Sequence, residues 1–270
     1  MLHFTKMSGA GNDFVLLDNR DGSLRLDAKT IALLCDRHRG IGADGLLAVE
    51  PARGDADFRM RYYNRDGGEA EMCGNGARCF SRFASRLTGR SDAIRFETPA
   101  GVIGAEPVGD AVRITMGEPA GLKLNIDLPL DLENVTAHFV NTGVPHAVVF
   151  IDHGTSLDDV AVERLGSQIR HHEVFAPAGT NVNFAQKTDA HTIAIRTYER
   201  GVEAETLACG TGVVASAIIF RELTGAQSPV RVRVRGGDLL DVGFEKTATG
   251  YKNVTLTGPA TFVFEGTIGV

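Results

Sequence analysis

The chain has 270 residues, of which 43% are hydrophobic and 23% are charged, a composition typical of a globular protein with its own apolar core. The formal net charge of -6 argues against a nucleic-acid or anionic-membrane partner and leaves small polar ligands open. Residues 1–9 lack the layout of a signal peptide, and no run approaches the roughly 20 apolar residues that span a bilayer. We therefore expect a cytoplasmic protein.

In chain order, the sequence repeats itself about halfway along. A glycine-containing turn followed by a buried strand is predicted at residues 8–18 and again at residues 142–152. Residues 28–35 and 162–169 have the apolar spacing of helices. Two predicted strands follow in each half, at 46–49 and 58–63 in the first and at 182–185 and 192–198 in the second.

Each half then carries the same cysteine motif. Cys73 is followed by Gly74-Asn75-Gly76 and Cys209 by Gly210-Thr211-Gly212, and both lead into an apolar-periodic run that ends at Leu-Thr-Gly. A cysteine at the start of a helix feels the positive end of the helix dipole and several unpaired N–H groups. These groups favour the thiolate and can also bind a carboxylate.

Three further strands are predicted after each helix, at 93–98, 102–106 and 111–116 and at 230–234, 239–242 and 253–257. The pattern predicts an α/β fold of the α+β type with two pseudo-symmetric halves, each a curved mixed β-sheet or barrel around a central helix. We place the halves at residues 1–117 and 118–259, and we expect a C-terminal strand at 260–270 to complete the first. Under a pseudo-two-fold, the thiols would face one another across a cleft between the halves, where ligand sites tend to lie.

Only Cys73 and Cys209 are superposed by the repeat, which indicates a functional pair. The other two cysteines, Cys35 and Cys79, lie over apolar residues and are expected in the core. No Cys and His spacing resembles a zinc site, so we expect no metal.

Two polar positions also recur beside the predicted helix starts. His146 lies over Asn12, and Glu199 lies over Asn64. Polar residues at the same two places in each half indicate a binding or catalytic role.

One thiolate and one thiol on opposite sides of a carbon could remove a proton from one face and return one to the other, which inverts that stereocentre. No cofactor motif is required. Two other hypotheses remain open, namely a redox dithiol in a sensor protein and a module that binds an anion at the helix starts.

The motifs resemble the diaminopimelate epimerase family over essentially the full chain. The matching segments are residues 9–14, 40–45, 64–67, 72–79, 179–184, 198–201 and 208–212. The resemblance implies a homodimer that interconverts LL- and meso-diaminopimelate without a cofactor, for lysine and peptidoglycan-precursor synthesis. A proline racemase or hydroxyproline epimerase of the same fold is the alternative. Those racemases typically have His where Asn75 stands, and they bind a ring with no distal carboxylate.

The resemblance also implies roles for individual residues. Cys73 and Cys209 would be the acid/base pair, tuned or oriented by Glu199 and His146. The substrate-binding set would comprise Gly74, Asn75, Gly210 and Thr211 at the reacting carboxylate and Asn12, Asn64, Asn183 and Arg200 at the distal end. The family often has Gln where Gly45 stands and Asn where Val144 stands, so two expected substrate contacts are absent or moved.

Overall fold

The structure is a computed structural model that describes residues 1–152 and 154–269. The chain divides into two compact units, the first comprising residues 1–115 and the segment from Thr257 onwards, and the second residues 116–256. Val270, the last residue of the strand expected at 260–270, lies outside the described residues.

The first unit is a mixed sheet with two helices. Its elements are β1 (Leu2–Gly9), β2 (Asn12–Asp18), α1 (Ala28–Cys35), β3 (Gly45–Pro51), β4 (Phe58–Asn64), β5 (Glu69–Ala70), α2 (Gly74–Thr88), β6 (Ile94–Thr98), β7 (Gly101–Val108) and β8 (Ala111–Thr115). The pair β2–β3 is parallel and β1–β2 and β3–β4 are antiparallel, while β4 also pairs with β6 in parallel. This arrangement leaves β2 and β3 inside the sheet.

The second unit repeats that order. Its elements are β9 (Ala120–Pro129), β10 (Asn134–Asn141), β11 (Pro145–Phe150), α3 (Val162–Arg170), β12 (Asn181–Lys187), β13 (Thr192–Glu199), β14 (Ala204–Thr206), α4 (Gly210–Thr224), β15 (Val230–Arg233), β16 (Leu239–Lys246) and β17 (Tyr251–Pro259). Here β11–β12 and β13–β15 are parallel, and β10–β11 and β12–β13 are antiparallel. The topology is that of the first unit, element by element, which confirms the predicted fold class.

One strand of each unit lies outside the order predicted from the repeat. The last strand, β18 (Thr261–Ile268), pairs antiparallel with β1, and β9 pairs in the same sense with β10. Sequence analysis did not predict β9, because the repeat gives this segment no counterpart in the first half. Residues 122–128 do alternate between apolar and polar side chains, which is the pattern of a half-buried strand. The two strands therefore play equivalent roles in their units.

The inner strands of each unit are buried on both faces, because a helix packs on either side of them. In the first unit Val15 and Leu17 of β2 pack with Ile31 and Leu34 of α1. The opposite face contacts α2, where Leu47 lies 3.4 Å from the position that a Cβ on Gly76 would take. Side chains alternate along a strand, so every second residue of β2, β3 and β4 faces the central helix α2.

The central helices α2 and α4 have matching ends. Each begins after a cysteine and ends at a glycine in the left-handed conformation, Gly89 at φ 67° and Gly225 at φ 77°. Glycine carries no Cβ penalty there, which explains the stop at both Leu-Thr-Gly sequences. Helix α4 is buried on nearly all sides from Val213 to Phe220, and its apolar contacts hold it inside the sheet. No helix in the two described ranges is both long and apolar enough to cross a membrane.

Candidate active site

The first thiol site is built on the N-cap of α2. Cys73 is the N-cap residue, with extended backbone angles of φ -140° and ψ 119°, and its sulfur accepts a hydrogen bond from the Gly76 N–H at 3.5 Å. Sulfur therefore takes the place that a serine or aspartate oxygen takes in ordinary helix caps. The backbone amides of the first turn and the helix dipole place positive partial charge beside this atom.

Asn12 gives the same sulfur a hydrogen-bond acceptor. The Cys73 thiol lies 3.6 Å from Asn12 Oδ1, and Asn75 Nδ2 lies 3.4 Å from the same oxygen. Asn12 Nδ2 donates to Asp44 Oδ2 at 2.8 Å, and this bond fixes which end of the Asn12 amide faces the cysteine. The Cys73 sulfur consequently faces an oxygen that can accept an S–H hydrogen.

A network of charged side chains holds the loop that carries Asn12. Asp13 pairs with buried Lys6 at 2.8 Å and with Arg37 at 2.8 Å, and Arg37 also reaches Asp44 at 2.9 Å. Burial opposes ionisation of Asp13, but the hydrogen bonds from Arg37 and Lys6 outweigh it and lower the pKa of that carboxyl to about 2. The loop that carries Asn12 is therefore fixed by ionised partners.

The first turn of α2 is held by a buried arginine of the same helix. Arg78 is fully buried, and its Nη2 donates to Asn75 Oδ1 at 2.9 Å. Its Nε donates to the carbonyl of Pro259 at 3.1 Å, which ties the helix to the C-terminal segment of the same unit. Asn75 thereby has its side chain fixed, and the Gly74–Asn75 backbone starts the helix in one conformation.

Asn64, the last residue of β4, is exposed and lies opposite Gly45 of β3 in the antiparallel register. Its Oδ1 accepts a hydrogen bond from the Tyr62 hydroxyl at 2.9 Å. Phe14 lies next to Gly45 on β2, so the three residues share the sheet face that packs on α2.

The second thiol site is built on the N-cap of α4. Cys209 is the N-cap residue at φ -117° and ψ 109°, and it is 8% exposed. Its sulfur lies 3.5 Å from the Thr211 hydroxyl. The Thr211 carbonyl accepts from the Thr142 hydroxyl at 2.9 Å, so a loop preceding β11 secures the first turn.

A chain of hydrogen bonds runs from that hydroxyl into the sheet. His146 Nε2 lies 2.9 Å from Thr211 Oγ1, and His146 Nδ1 lies 3.1 Å from Asn183 Nδ2. Asn183 also donates to the Ala147 carbonyl at 3.1 Å and accepts from the Thr197 hydroxyl at 3.0 Å. Because these partners orient the Asn183 amide, Nδ1 of His146 is the acceptor and Nε2 carries the proton.

The charge state of His146 follows from its surroundings. Burial, with a smaller contribution from the positive charge of Arg200, lowers the pKa of His146 from 6.5 to about 3. The ring is therefore neutral near pH 7 and donates through Nε2 to Thr211 Oγ1. The Thr211 hydroxyl, 3.5 Å from the Cys209 sulfur, can then donate its hydrogen to that sulfur.

Gly212 makes this close packing possible. A Cβ on Gly212 would lie 2.3 Å from Asn183 Oδ1 and 3.3 Å from His146 Cε1. Only glycine at this position lets the first turn of α4 approach the two side chains. The glycine of the cysteine motif thus has a packing role in the second unit.

Glu199 and Arg200 follow at the end of β13. Burial raises the pKa of Glu199, and the Thr206 side chain opposes that shift in part. The Arg200 N–H donates to Asn181 Oδ1 at 2.8 Å, and its guanidinium donates to the Ala178 carbonyl at 3.2 Å. Asn181 also donates to the Pro145 carbonyl at 3.1 Å, so one side chain joins the Arg200 backbone to β11.

Cys35 and Cys79 are free thiols, and both side chains are buried. Burial raises the pKa of Cys35 to about 11 and that of Cys79 to about 12. Both side chains are therefore protonated and unreactive at neutral pH.

The structure brings most candidate residues into two clusters. Asn12, Cys73, Gly74 and Asn75 form one, Cys209, Gly210, Thr211, His146 and Asn183 form the other, and Asn64, Glu199 and Arg200 lie at strand ends of their units. Sequence reasoning missed four contributors: Asp44, Tyr62, Asn181 and Thr197. A signal existed for Asp44 and Asn181, since both belong to the glycine-containing segments that precede the central strands. Across residues 1–152 and 154–269, no three His, Cys, Asp or Glu side chains meet in a way that could hold a metal ion.

Comparison with known proteins gives one consistent family. The diaminopimelate epimerase family model matches residues 4–121 and 138–263. The diaminopimelate epimerase of Aromatoleum aromaticum is 46% identical over 100% of this chain and 99% of its own. That of Hydrogenobaculum sp. is 42% identical over 97% of this chain and 96% of its own.

Among solved structures, a probable proline racemase from Agrobacterium radiobacter K84 superposes with a TM-score of 0.71 over 100% of this chain and 93% of its own. Its sequence identity is 17%, so the likeness shows the shared fold and does not favour the racemase alternative. Family model and relatives cover both cysteine motifs and nearly all of the chain between them. The chain belongs to the diaminopimelate epimerase family of isomerases.

Proposed function

We propose that the enzyme interconverts LL- and meso-diaminopimelate with Cys73 and Cys209 as its two bases and without a cofactor. One observation carries this proposal: in each unit a cysteine is the N-cap of the buried central helix. A packing cysteine gains nothing from that position, whereas a reacting thiol gains a positive electrostatic environment.

The chemistry needs one thiolate and one thiol at a time. The thiolate takes the α-hydrogen as a proton and becomes S–H, and the electron pair left on the α-carbon is delocalised into the carboxylate. The second thiol then gives its proton to the opposite face and becomes a thiolate. Atoms and charge balance, and the reverse reaction uses the same two groups with their roles exchanged.

The hydrogen bonds favour one starting arrangement. Cys73 faces Asn12 Oδ1, which accepts an S–H hydrogen, and Cys209 faces the Thr211 hydroxyl, which has a hydrogen to donate. We propose that Cys73 is the thiol and Cys209 the thiolate before substrate binds. In this mechanism the two thiols hold one proton between them, so their protonation states belong to the pair and not to either cysteine alone.

Binding would use the helix starts and the strand ends. The N–H groups at Gly74–Asn75 and Gly210–Thr211 suit the reacting carboxylate, whose charge grows as the α-hydrogen leaves. Arg200 and Asn64, with Asn12, would hold the distal end, where a guanidinium can bind a carboxylate through two hydrogen bonds. Asn183 would act from behind His146, because its amide is fully buried and bonded within the protein.

We test the proposal by incubating LL-diaminopimelate with the enzyme in deuterated water. At early times the product should carry deuterium at the inverted centre while recovered substrate carries none, because each face is served by its own thiol. Cys73→Ala and Cys209→Ala should each lose epimerisation by about 10²–10⁴-fold. Cys35→Ala, which removes a buried core thiol, is the matched control and should retain activity.

The same experiment separates the other hypotheses. A module that only binds an anion would exchange no hydrogen with solvent, and a proline racemase would turn over L-proline in preference to diaminopimelate. Wild-type activity in Cys209→Ala would overturn the two-base mechanism. As part of this proposal the enzyme is a cytoplasmic homodimer in lysine and peptidoglycan-precursor synthesis, which light scattering and cell fractionation would check.

A further inference from the structure

The Tyr62 side chain lies where it can orient the exposed Asn64 carboxamide. Tyr62 and Asn64 are two residues apart on β4, so their side chains leave the same face of the sheet. The Tyr62 hydroxyl donates to Asn64 Oδ1 at 2.9 Å. The bond occupies the oxygen of the amide and turns the two hydrogens of Nδ2 the other way.

Gly45 provides the room for this tyrosine ring. Gly45 lies directly opposite Asn64 on β3. A Cβ at this position would lie 2.9 Å from Tyr62 Cε2 and 2.6 Å from the Tyr63 carbonyl oxygen. The ring therefore occupies space that any larger residue at position 45 would take.

Packing fixes the ring as well as the hydrogen bond does. Phe14, which lies beside Gly45 on β2 and is fully buried, contacts Tyr62 edge-on, with ring centroids 6.1 Å apart and planes at 76°. A phenol held in this way has few other positions open to it, and its hydroxyl stays beside Asn64.

The pair also lies on the face that carries the first thiol site. Leu47, directly opposite Tyr62 on β3, packs on the first turn of α2. A Cβ at Gly76 in that turn would lie 3.4 Å from Leu47 and 3.5 Å from the Cys73 Cβ. Tyr62 therefore stands on the sheet face that packs against the turn following Cys73.

We infer that Tyr62 is a positioning residue for substrate recognition: its hydroxyl fixes the Asn64 amide so that Nδ2 presents its hydrogens to a substrate carboxylate. An unfixed amide can rotate and present its oxygen, which repels a carboxylate. This inference rests on the proposed function, in which Asn64 binds the distal end of diaminopimelate.

The test is a double-mutant cycle in steady-state kinetics with LL-diaminopimelate. Tyr62→Phe removes only the hydroxyl, and we expect KM to rise about three- to tenfold, the effect of one hydrogen bond, with kcat changed less than about twofold. Asn64→Ala should raise KM further. The double variant should match Asn64→Ala, because Tyr62 acts through that side chain.

Tyr63→Phe is the matched control, since Tyr63 is the neighbouring residue and packs on the opposite face of β4 with α1. It should leave KM unchanged, and thermal unfolding of all variants should show an intact fold. An unchanged KM in Tyr62→Phe, or the same KM increase for that change in the Asn64→Ala background, would overturn the inference. Wild-type turnover in the same assay tests the proposed function separately, and its absence would remove both proposals.

Discussion

The two thiol sites share a backbone design but differ in the side chains around the sulfur. Cys73 and Cys209 occupy the same N-cap position of equivalent helices. Beside Cys73 stands Asn12, with an oxygen oriented by Asp44, and behind Cys209 stands His146, which acts through Thr211. Asn12 and His146 are the residues that the sequence repeat superposes. At this shared position the first unit has a hydrogen-bond acceptor for its cysteine, Asn12. The second unit has His146, which starts a chain of hydrogen-bond donors to its cysteine.

That difference has a chemical consequence. Two identical sites would favour the same protonation state for both thiols, whereas an inversion needs one proton donor and one proton acceptor. The two units have equivalent helix starts, and the different residues at one strand position, Asn12 and His146, make the surroundings of the two thiols unlike. The asymmetry therefore resides in the residues behind the cysteines.

The largest effect should come from breaking the donor chain at Thr211. Thr211→Val keeps the shape but removes the hydroxyl that faces Cys209, and it leaves the buried His146 Nε2–H without its acceptor. We expect kcat to fall about 100-fold, equivalent to about 2.7 kcal/mol of activation free energy. Steady-state epimerase assays with LL-diaminopimelate measure this change.

Thr224→Val is the matched control for that variant. The Thr224 hydroxyl donates to the Phe220 carbonyl at 2.7 Å, at the other end of α4. It should leave kcat unchanged, although both variants lose one hydroxyl from the same helix. Equal activity in the two variants would show that the chain from His146 does not act on Cys209.

The next comparison adds a methyl group at two equivalent glycines, Gly212 and Gly76. Gly212→Ala places a Cβ 2.3 Å from Asn183 Oδ1, an atom held by the Thr197 hydroxyl, so the hydrogen-bond chain must move. We expect the free energy of unfolding to fall by about 1–3 kcal/mol. At Gly76 the added Cβ would meet Leu47 and the Cys73 Cβ at 3.4–3.5 Å, which is ordinary contact.

Gly76→Ala should therefore keep its free energy of unfolding or raise it by up to about 1 kcal/mol, the gain in helix propensity of alanine over glycine. Urea unfolding of both variants and the wild type gives the comparison. A similar loss in both variants would contradict the view that the side-chain network packs against this glycine only in the second unit.

Much of this architecture could be predicted from the sequence, because it depends on apolar periodicity and on glycine at fixed places. Helices α1 to α4 and the paired cysteines are of this kind. The strand β9 was missed although residues 122–128 alternate between apolar and polar side chains, because the repeat gives it no counterpart in the first half. Its pairing with β10 is known only from the structure. Side-chain orientation could not be predicted. The glycine-containing segment around Asp44 marks it as a contributor but does not show that it bonds Asn12, and nothing local to Tyr62 indicates its contact with Asn64.

The smallest expected effect is on the pH dependence of the free energy of unfolding. Acid should lower this free energy over a different pH range in each unit. Burial and Arg200 lower the pKa of His146 to about 3, whereas an unfolded histidine titrates near 6.5. Between these values the unfolded chain binds a proton that the native protein does not. The free energy of unfolding should therefore fall as the pH drops below 6.5, by at most about 1.4 kcal/mol per pH unit from this residue.

Asp13 in the first unit behaves differently. Its pKa is lowered from 3.8 to about 2 by the hydrogen bonds from Arg37 and Lys6, despite burial. Its contribution to the free energy of unfolding is complete above pH 3.8 and is lost as the pH falls towards 2.

Urea unfolding at pH 7.5, 6 and 5 should show a shallower pH slope for His146→Asn than for the wild type. Asp13→Asn should keep the wild-type slope over that range, because Asp13 is ionised in both states there. Identical slopes for wild type and His146→Asn would mean that the native protein also protonates His146. Both ring nitrogens would then carry hydrogens, and Nδ1 could not accept from Asn183 as the donor chain requires.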